Sequence, residues 1–210
     1  MKSASERSYA GLLWGLAAVG VILDQATKYG VFRCLYNDYR RQGEFEIVPG
    51  AFKLLAQFTD QHESSDRLLG PLRTISGDLL PKVNHGALFG LGGEHTHIAN
   101  GVFATVSILA TLAIINWSRR RSTTRDFALC AALGLILAGT LGNLYDRLVF
   151  GGVRDFLYFY WIEFPVFNIA DSCLVVGAGL LLTQAFWRRP SEVEHFTEPR
   201  AKVPEVAGIK

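Results

Sequence analysis

Cysteine is scarce in this sequence, and the three present, Cys34, Cys130 and Cys173, are too scattered for a disulfide framework or a zinc-ligand spacing. No serine stands in a G-x-S-x-G context and no H-E-x-x-H occurs, which removes the common serine-hydrolase and zinc-protease alternatives. There is no Rossmann-type glycine pattern, internal repeat or low-complexity tract. An excess of one charge is missing too: 21 basic residues face 19 acidic ones, a formal +2, so net charge says little about partners.

What the sequence does have is apolar residues in long blocks, half of its 210 residues being hydrophobic. Four stretches, 9–32, 98–117, 127–147 and 165–187, approach or exceed the roughly 20 residues that span about 30 Å of hydrocarbon at about 1.5 Å per residue. The first is too long for the apolar core of a secretory signal and lacks a small-residue cleavage site after it, so it reads as a retained helix. Gly11 and Gly15 within it are a weak sign of close helix packing. Arg119, Arg120, Arg121 and Arg125 fill the short second loop, Lys2 and Arg7 precede the first helix, and Arg188 and Arg189 follow the last. By the positive-inside rule that loop and both termini are cytoplasmic, with the 33–97 segment and the Asp146–Phe164 segment outside. The polar stretch 190–210 reads as a flexible cytoplasmic tail.

Ionisable residues inside a spanning segment are expensive unless they face protein or water, so their depth is informative. Asp24 lies late in the first helix, about 22 Å along it, and Lys28 follows one turn later on the same face. Asn143, Asp146 and Arg147 close the third helix, and Asn168, Asp171 and Ser172 open the fourth. With the deduced topology, three helices' worth of polar residues converge on the outer end. GGVRDFLYFYWIEF adds Asp155 near that depth, beside an aromatic run expected to form an interfacial belt or re-entrant stretch. Simpler roles compete. Asn168 with Asp171 also fits a capping box opening a helix, the weaker reading, and Asp24 with Lys28, and Asp146 with Arg147, read equally as structural pairs. His62, His85, His95 and His97 read as solvated loop residues rather than metal ligands.

Two carboxylates at one site can hydrolyse a peptide without a covalent intermediate, since close like charges push their pKa values apart and they share one proton. Five ordered blocks carry a resemblance: DQATKY at Asp24–Tyr29, VNHGALFG at Val83–Gly90, GTLGNLYDRL at Gly139–Leu148, GGVRDF at Gly151–Phe156 and FPVFNIADS at Phe164–Ser172. In these the chain resembles the prolipoprotein signal peptidases (signal peptidase II), a family of four-helix intramembrane aspartyl proteases. The resemblance implies Asp155 and Asp171 as the catalytic pair. It implies supporting roles for Asp24, Lys28, Asn84, Asn143, Asp146, Arg147 and Asn168, and a diacylglyceryl-modified prolipoprotein as substrate, cut before the lipidated cysteine.

The expected architecture is mainly α and membrane-embedded. It comprises a four-helix domain over 1–189 and a small extracytoplasmic, β-containing insertion over about 33–97, in a bacterial inner membrane with the active site at the outer leaflet. No cofactor, metal or nucleic acid is expected, membrane lipid is the expected surrounding, and the expected state is a monomer. Three departures from the family pattern stand out: a long stretch at Lys53–Lys82, Leu88 where a small residue is commoner, and Arg154 directly before Asp155. A cation there would lower the Asp155 pKa if it pointed at the carboxylate. Two other classes compete: an ion- or proton-coupled transporter using Asp24, Asp146 and Asp171 as a relay, disfavoured by their common depth, and a non-enzymatic scaffold, the weakest of the three.

Overall fold

A computed structural model describes residues 7–37, 39–62, 69–73, 75, 79–86 and 96–187. Leu88, His95 and the 190–210 tail lie outside the described residues, as do the side chains of His62 and His97. In chain order the elements are α1 (Ala10–Cys34), β1 (Gln42–Val48), β2 (Phe52–His62), α2 (Gly70–Arg73), β3 (Leu79–Pro81), α3 (Thr96–Ser118), α4 (Arg121–Thr124), α5 (Phe127–Phe150), β4 (Leu157–Phe159) and α6 (Ile169–Trp187). Among the described residues four helices are long and apolar enough to cross a membrane, within α1, α3, α5 and α6. Each expected helix is present, with ends displaced by a few residues.

Helix α5 is the most enclosed of the four and packs against α1, α3 and α6. Its sequence explains this, because ALCAALGLILAGTLGN supplies small residues where neighbours cross. A Cβ on Gly134 would lie 2.7 Å from the Leu13 carbonyl oxygen of α1, and one on Gly20 would lie 2.5 Å from Ala138 Cβ. On the other side a Cβ on Gly177 of α6 would lie 2.9 Å from the Ala132 carbonyl oxygen, and one on Gly139 would strike that of Ala170. Gly11 and Gly15, by contrast, meet nothing within 4 Å, so the close packing expected of that pair lies elsewhere. Gly139→Ala should therefore cost about 1–3 kcal/mol through overpacking, read as a lower unfolding midpoint in detergent. Gly11→Ala should leave the midpoint unchanged.

The ends of α5 follow from local chemistry. Asp126 caps its start, accepting from the Leu129 N–H at 3.0 Å. Gly151 ends it in the left-handed conformation at φ 75°, where a side chain would be strained. The chain then runs extended instead of re-entering the bundle. Leu157–Phe159 becomes strand β4, pairing antiparallel with Phe52–Leu54 of β2, and a 3₁₀ turn at Tyr160–Ile162 follows. The re-entrant reading of this aromatic run is thus corrected: Leu157–Phe159 pleats onto a sheet edge. The sheet, with β1 and β3 also antiparallel to β2, draws strands from the segment between α1 and α3 and from that between α5 and α6, not from the first alone. It sits on the end of the bundle through a cluster of Phe32, Ala56, Phe58, Leu79 and Phe156. Helix α6 starts at Ile169 rather than near 165 because Phe167 is still bridged to Leu157.

Candidate active site

Extended backbone sends successive side chains to opposite sides, and the segment after α5 uses this directly. Val153 and Asp155 line a cavity, whereas Arg154 and Phe156 turn inward and are buried. The segment is fixed at both ends. Asn84 and Val153 exchange backbone hydrogen bonds of 2.7 and 2.9 Å, while Phe156 N–H donates to the Phe167 carbonyl at 3.0 Å.

Asp155 and Asp171 are held by a shared asparagine scaffold. Asp155 accepts from Asn168 Nδ2 at 2.7 Å and from Asn84 Nδ2 at 3.1 Å. Asp171 accepts from Asn143 Nδ2 at 2.8 Å and from the Asn168 backbone N–H at 3.2 Å. In return the Asp171 N–H donates to Asn168 Oδ1 at 2.9 Å, completing the capping box read from the sequence. The cap and the site are one structure: Asn168 opens α6 with its carbonyl oxygen and holds Asp155 with its amide nitrogen. Asn143 is oriented likewise, its Oδ1 accepting from Lys28 Nζ at 3.3 Å and Asn168 Nδ2 at 3.2 Å, which leaves Nδ2 for Asp171.

Beneath the carboxylates lies a buried charge cluster. Lys28 Nζ is 2.8 Å from Asp24 and 3.3 Å from Asp146. Arg154 reaches Asp146 through Nη2 at 2.8 Å and Nε at 3.2 Å. All four side chains have no solvent exposure. The second oxygen of Asp24 accepts the Ala170 N–H at 2.9 Å, tying α1 to the first turn of α6. Arg147 is not the partner of Asp146, as the structural-pair reading supposed. Its neighbour along the helix points to a different face, and Arg147 instead lines the cavity with its guanidinium 5.4 Å from the Phe103 ring centre.

The cavity, of about 950 Å³, has Asn143, Arg147, Asp155 and Asp171 in its polar lining and Phe159, Ile162, Phe164, Phe167, Val175 and Val176 in its apolar lining. Burial, and secondly the charge of Asp171, push Asp155 up to about 7, against hydrogen bonds from Asn84 and Asn168 that pull the other way. The cation that chiefly pulls it down is Lys28, while the Arg154 side chain points away into the charge cluster. No group of three or more His, Cys, Asp or Glu is placed to hold a metal among the described residues.

Every candidate site residue therefore gathers at one end of the bundle. Sequence reasoning missed three participants. Gln25 donates to Asp24, Asp146 and the Gly142 carbonyl and accepts from Arg154 Nη2 at 2.8 Å; its place beside Asp24 was the available signal. His85 is not a freely solvated loop residue, since its Nδ1 lies 2.9 Å from the Gly151 carbonyl oxygen. Arg154, a departure from the family pattern, points away from the Asp155 carboxylate and is an anchor on Asp146.

These helices and this pocket define a multi-pass membrane protein with paired carboxylates at one end of its bundle. Residues 16–187 match the family described as Signal peptidase (SPase) II. The chain is 36% identical over 170 residues to the lipoprotein signal peptidase of Symbiobacterium thermophilum, covering 79% of this chain and 88% of that one. It is 33% identical to that of Nitratidesulfovibrio vulgaris, covering 86% and 92%. Among solved structures a bacterial membrane enzyme matches with a TM-score of 0.63 at 25% identity, covering 91% of this chain and all of the other. The chain belongs to the signal peptidase II family, a family of peptidases.

Proposed function

We propose that this protein is an intramembrane aspartyl endopeptidase that removes signal peptides from diacylglyceryl-modified prolipoproteins, cutting before the lipidated cysteine. The observation that carries the reading is the pair Asp155 and Asp171, bridged by one asparagine and lining a largely apolar cavity. The ionised member of the pair takes a proton from water as the water oxygen attacks the scissile carbonyl, and the protonated member donates to the carbonyl oxygen. Collapse of the tetrahedral species breaks the C–N bond, the amine leaving with a proton from the pair. Asn143, Asn168 and Asn84 orient the two carboxylates throughout. Arg147, lining the same cavity, is suited to hold substrate carbonyl oxygens.

The apolar lining suits acyl chains and an apolar signal segment, and Val175, 72% exposed, continues it onto the outer surface of α6. The arginine-rich turn at 119–125 lies at the opposite end of the bundle, which supports cytoplasmic termini and a site at the outer leaflet of the inner membrane. We take the working unit to be a single chain in membrane lipid, needing water and no cofactor. A transporter relay gains nothing from the geometry, because Asp24 and Asp146 are committed to ion pairs at this one end.

The test is cleavage of a purified precursor by the purified enzyme, followed by gel shift, with the diacylglyceryl-modified precursor beside its unmodified form. Cleavage confined to the modified form is the expected result, and equal cleavage of both overturns the substrate assignment. Run across pH, the same assay should show turnover falling as pH rises through about 7. The sign follows from Asp155: its raised pKa keeps a proton in the pair below that pH, and ionisation above it leaves two carboxylates and no acid.

A further inference from the structure

Arg154 is buried in a place where a charge is costly, and it touches none of the cavity's lining chemistry. Its surroundings account for it almost completely. Its backbone N–H donates to Asp146 Oδ2 at 2.8 Å, and its guanidinium grips both oxygens of the same carboxylate and Gln25 Oε1. The guanidinium carbon lies 4.3 Å from the Tyr29 ring centre and 3.9 Å from that of Phe150, held between aromatic faces. Nη1 alone has no partner. One side chain thus fastens the extended segment to α1 and α5 immediately before Asp155.

Asp146 is the node of this arrangement. Through Arg154 it is tied to the backbone bearing Asp155. Through Lys28 and then Asn143 it is tied to the carboxylate of Asp171. We propose that Arg154 is a positioning residue for peptide hydrolysis, fixing the Asp155 backbone so that its carboxylate stays in register with Asp171. The inference rests on the proposed aspartyl chemistry and deepens it: the residue acts through Asp155 without touching substrate. A lysine cannot reproduce the role, because an ammonium cannot grip two carboxylate oxygens and an amide oxygen in one plane.

The experiment compares Arg154→Lys, Arg154→Met and Gln25→Met in the full chain, in detergent and in lipid nanodiscs, with Asp171→Asn as control. Activity is expressed per folded enzyme. Positioning predicts a kcat lowered by about 10- to 100-fold in both arginine variants, with KM within about twofold of wild type. It also predicts that the alkaline limb of the pH profile shifts to lower pH. The groups facing Asp155 are Asp171 of α6, Asn168, Asn84 and, on the helices below, Lys28 and Arg147. An Asp155 that drifts from Asp171 and toward water loses both causes of its raised pKa. Gln25→Met removes an uncharged partner of the guanidinium and is expected to move kcat in the same direction by less. It carries the test should the arginine variants not insert.

Wild-type kcat and an unmoved limb in folded Arg154→Lys, with only the unfolding midpoint reduced, would make Arg154 a structural residue and overturn the proposal. The same holds for an unchanged Gln25→Met if that variant alone inserts. Retained cleavage by Asp171→Asn would instead overturn the underlying chemistry, so the two failures are separable.

Discussion

Asp171→Asn is expected to lose cleavage of the lipid-modified precursor by at least about 10²- to 10⁴-fold in kcat, the usual scale for removing a positioned acid or base. Substrate binding should persist. The amide is nearly isosteric, and the cavity's apolar wall and Arg147 are untouched by it. The geometry adds a second, smaller effect. Asp171 faces two donors, Asn143 Nδ2 and the Asn168 N–H, and an amide offers one accepting oxygen where a carboxylate offers two. One donor is then left facing an NH₂ group, so the capping box loosens and the unfolding midpoint falls slightly. Asp155→Asn has the same problem with Asn168 and Asn84, but there the loss is opposed. Burial and Asp171 disfavour the ionised Asp155, so removing that charge relieves the folded state above about pH 7 by about 1–2 kcal/mol. Asp155→Asn should therefore be dead yet more stable relative to wild type at pH 8 than at pH 5. Wild-type turnover by either variant would remove the dyad from the mechanism.

Much of this arrangement was legible in the sequence because membrane helices leave few choices. A run such as Phe127–Phe150 with no charge before Asp146 can only be a span, and the polar residues at its end must face protein or water. Depth alone then brings Asp24, Asn143, Asp146, Asn168 and Asp171 to one end. Which residue pairs with which was not legible, because pairing depends on rotation about each helix axis and on how closely the helices approach. Lys28 reaches Asp146 on α5 as well as Asp24 one turn away because small residues on α5 let α1 come near; a Cβ on Gly142 would lie 2.6 Å from Asp24 Oδ2. The alternative that pairs Arg147 with Asp146 fails for the same reason, because adjacency in the chain is not adjacency on a face. The strand at Leu157–Phe159 was hidden because its apolar and aromatic residues fit an interfacial belt as well as a sheet edge, and only its partner in the distant first loop decides.

The cluster under the dyad gives the largest expected effect on stability, and its logic is charge balance. Asp24 and Asp146 face Lys28 and Arg154, formally two negative and two positive charges with no exposure among them. Asp146→Asn leaves both cations sharing Asp24 alone, a net buried positive charge, and should destabilise by about 3–5 kcal/mol. Arg154→Met leaves a net negative charge and should cost a comparable amount, somewhat offset because methionine can fill the slot between Tyr29 and Phe150. The double variant Asp146→Asn/Arg154→Met is neutral again, so its loss should be well below the sum of the single losses. A coupling of at least about 2 kcal/mol is expected for groups in one network, read from unfolding midpoints in one detergent. Additive losses would mean that the four groups do not act as a balanced unit. Restored stability need not restore turnover, because the double variant has no guanidinium to fasten the backbone before Asp155. A stable but slow double variant would thus separate the two duties of Arg154, balancing the charge of Asp146 and holding Asp155 in place.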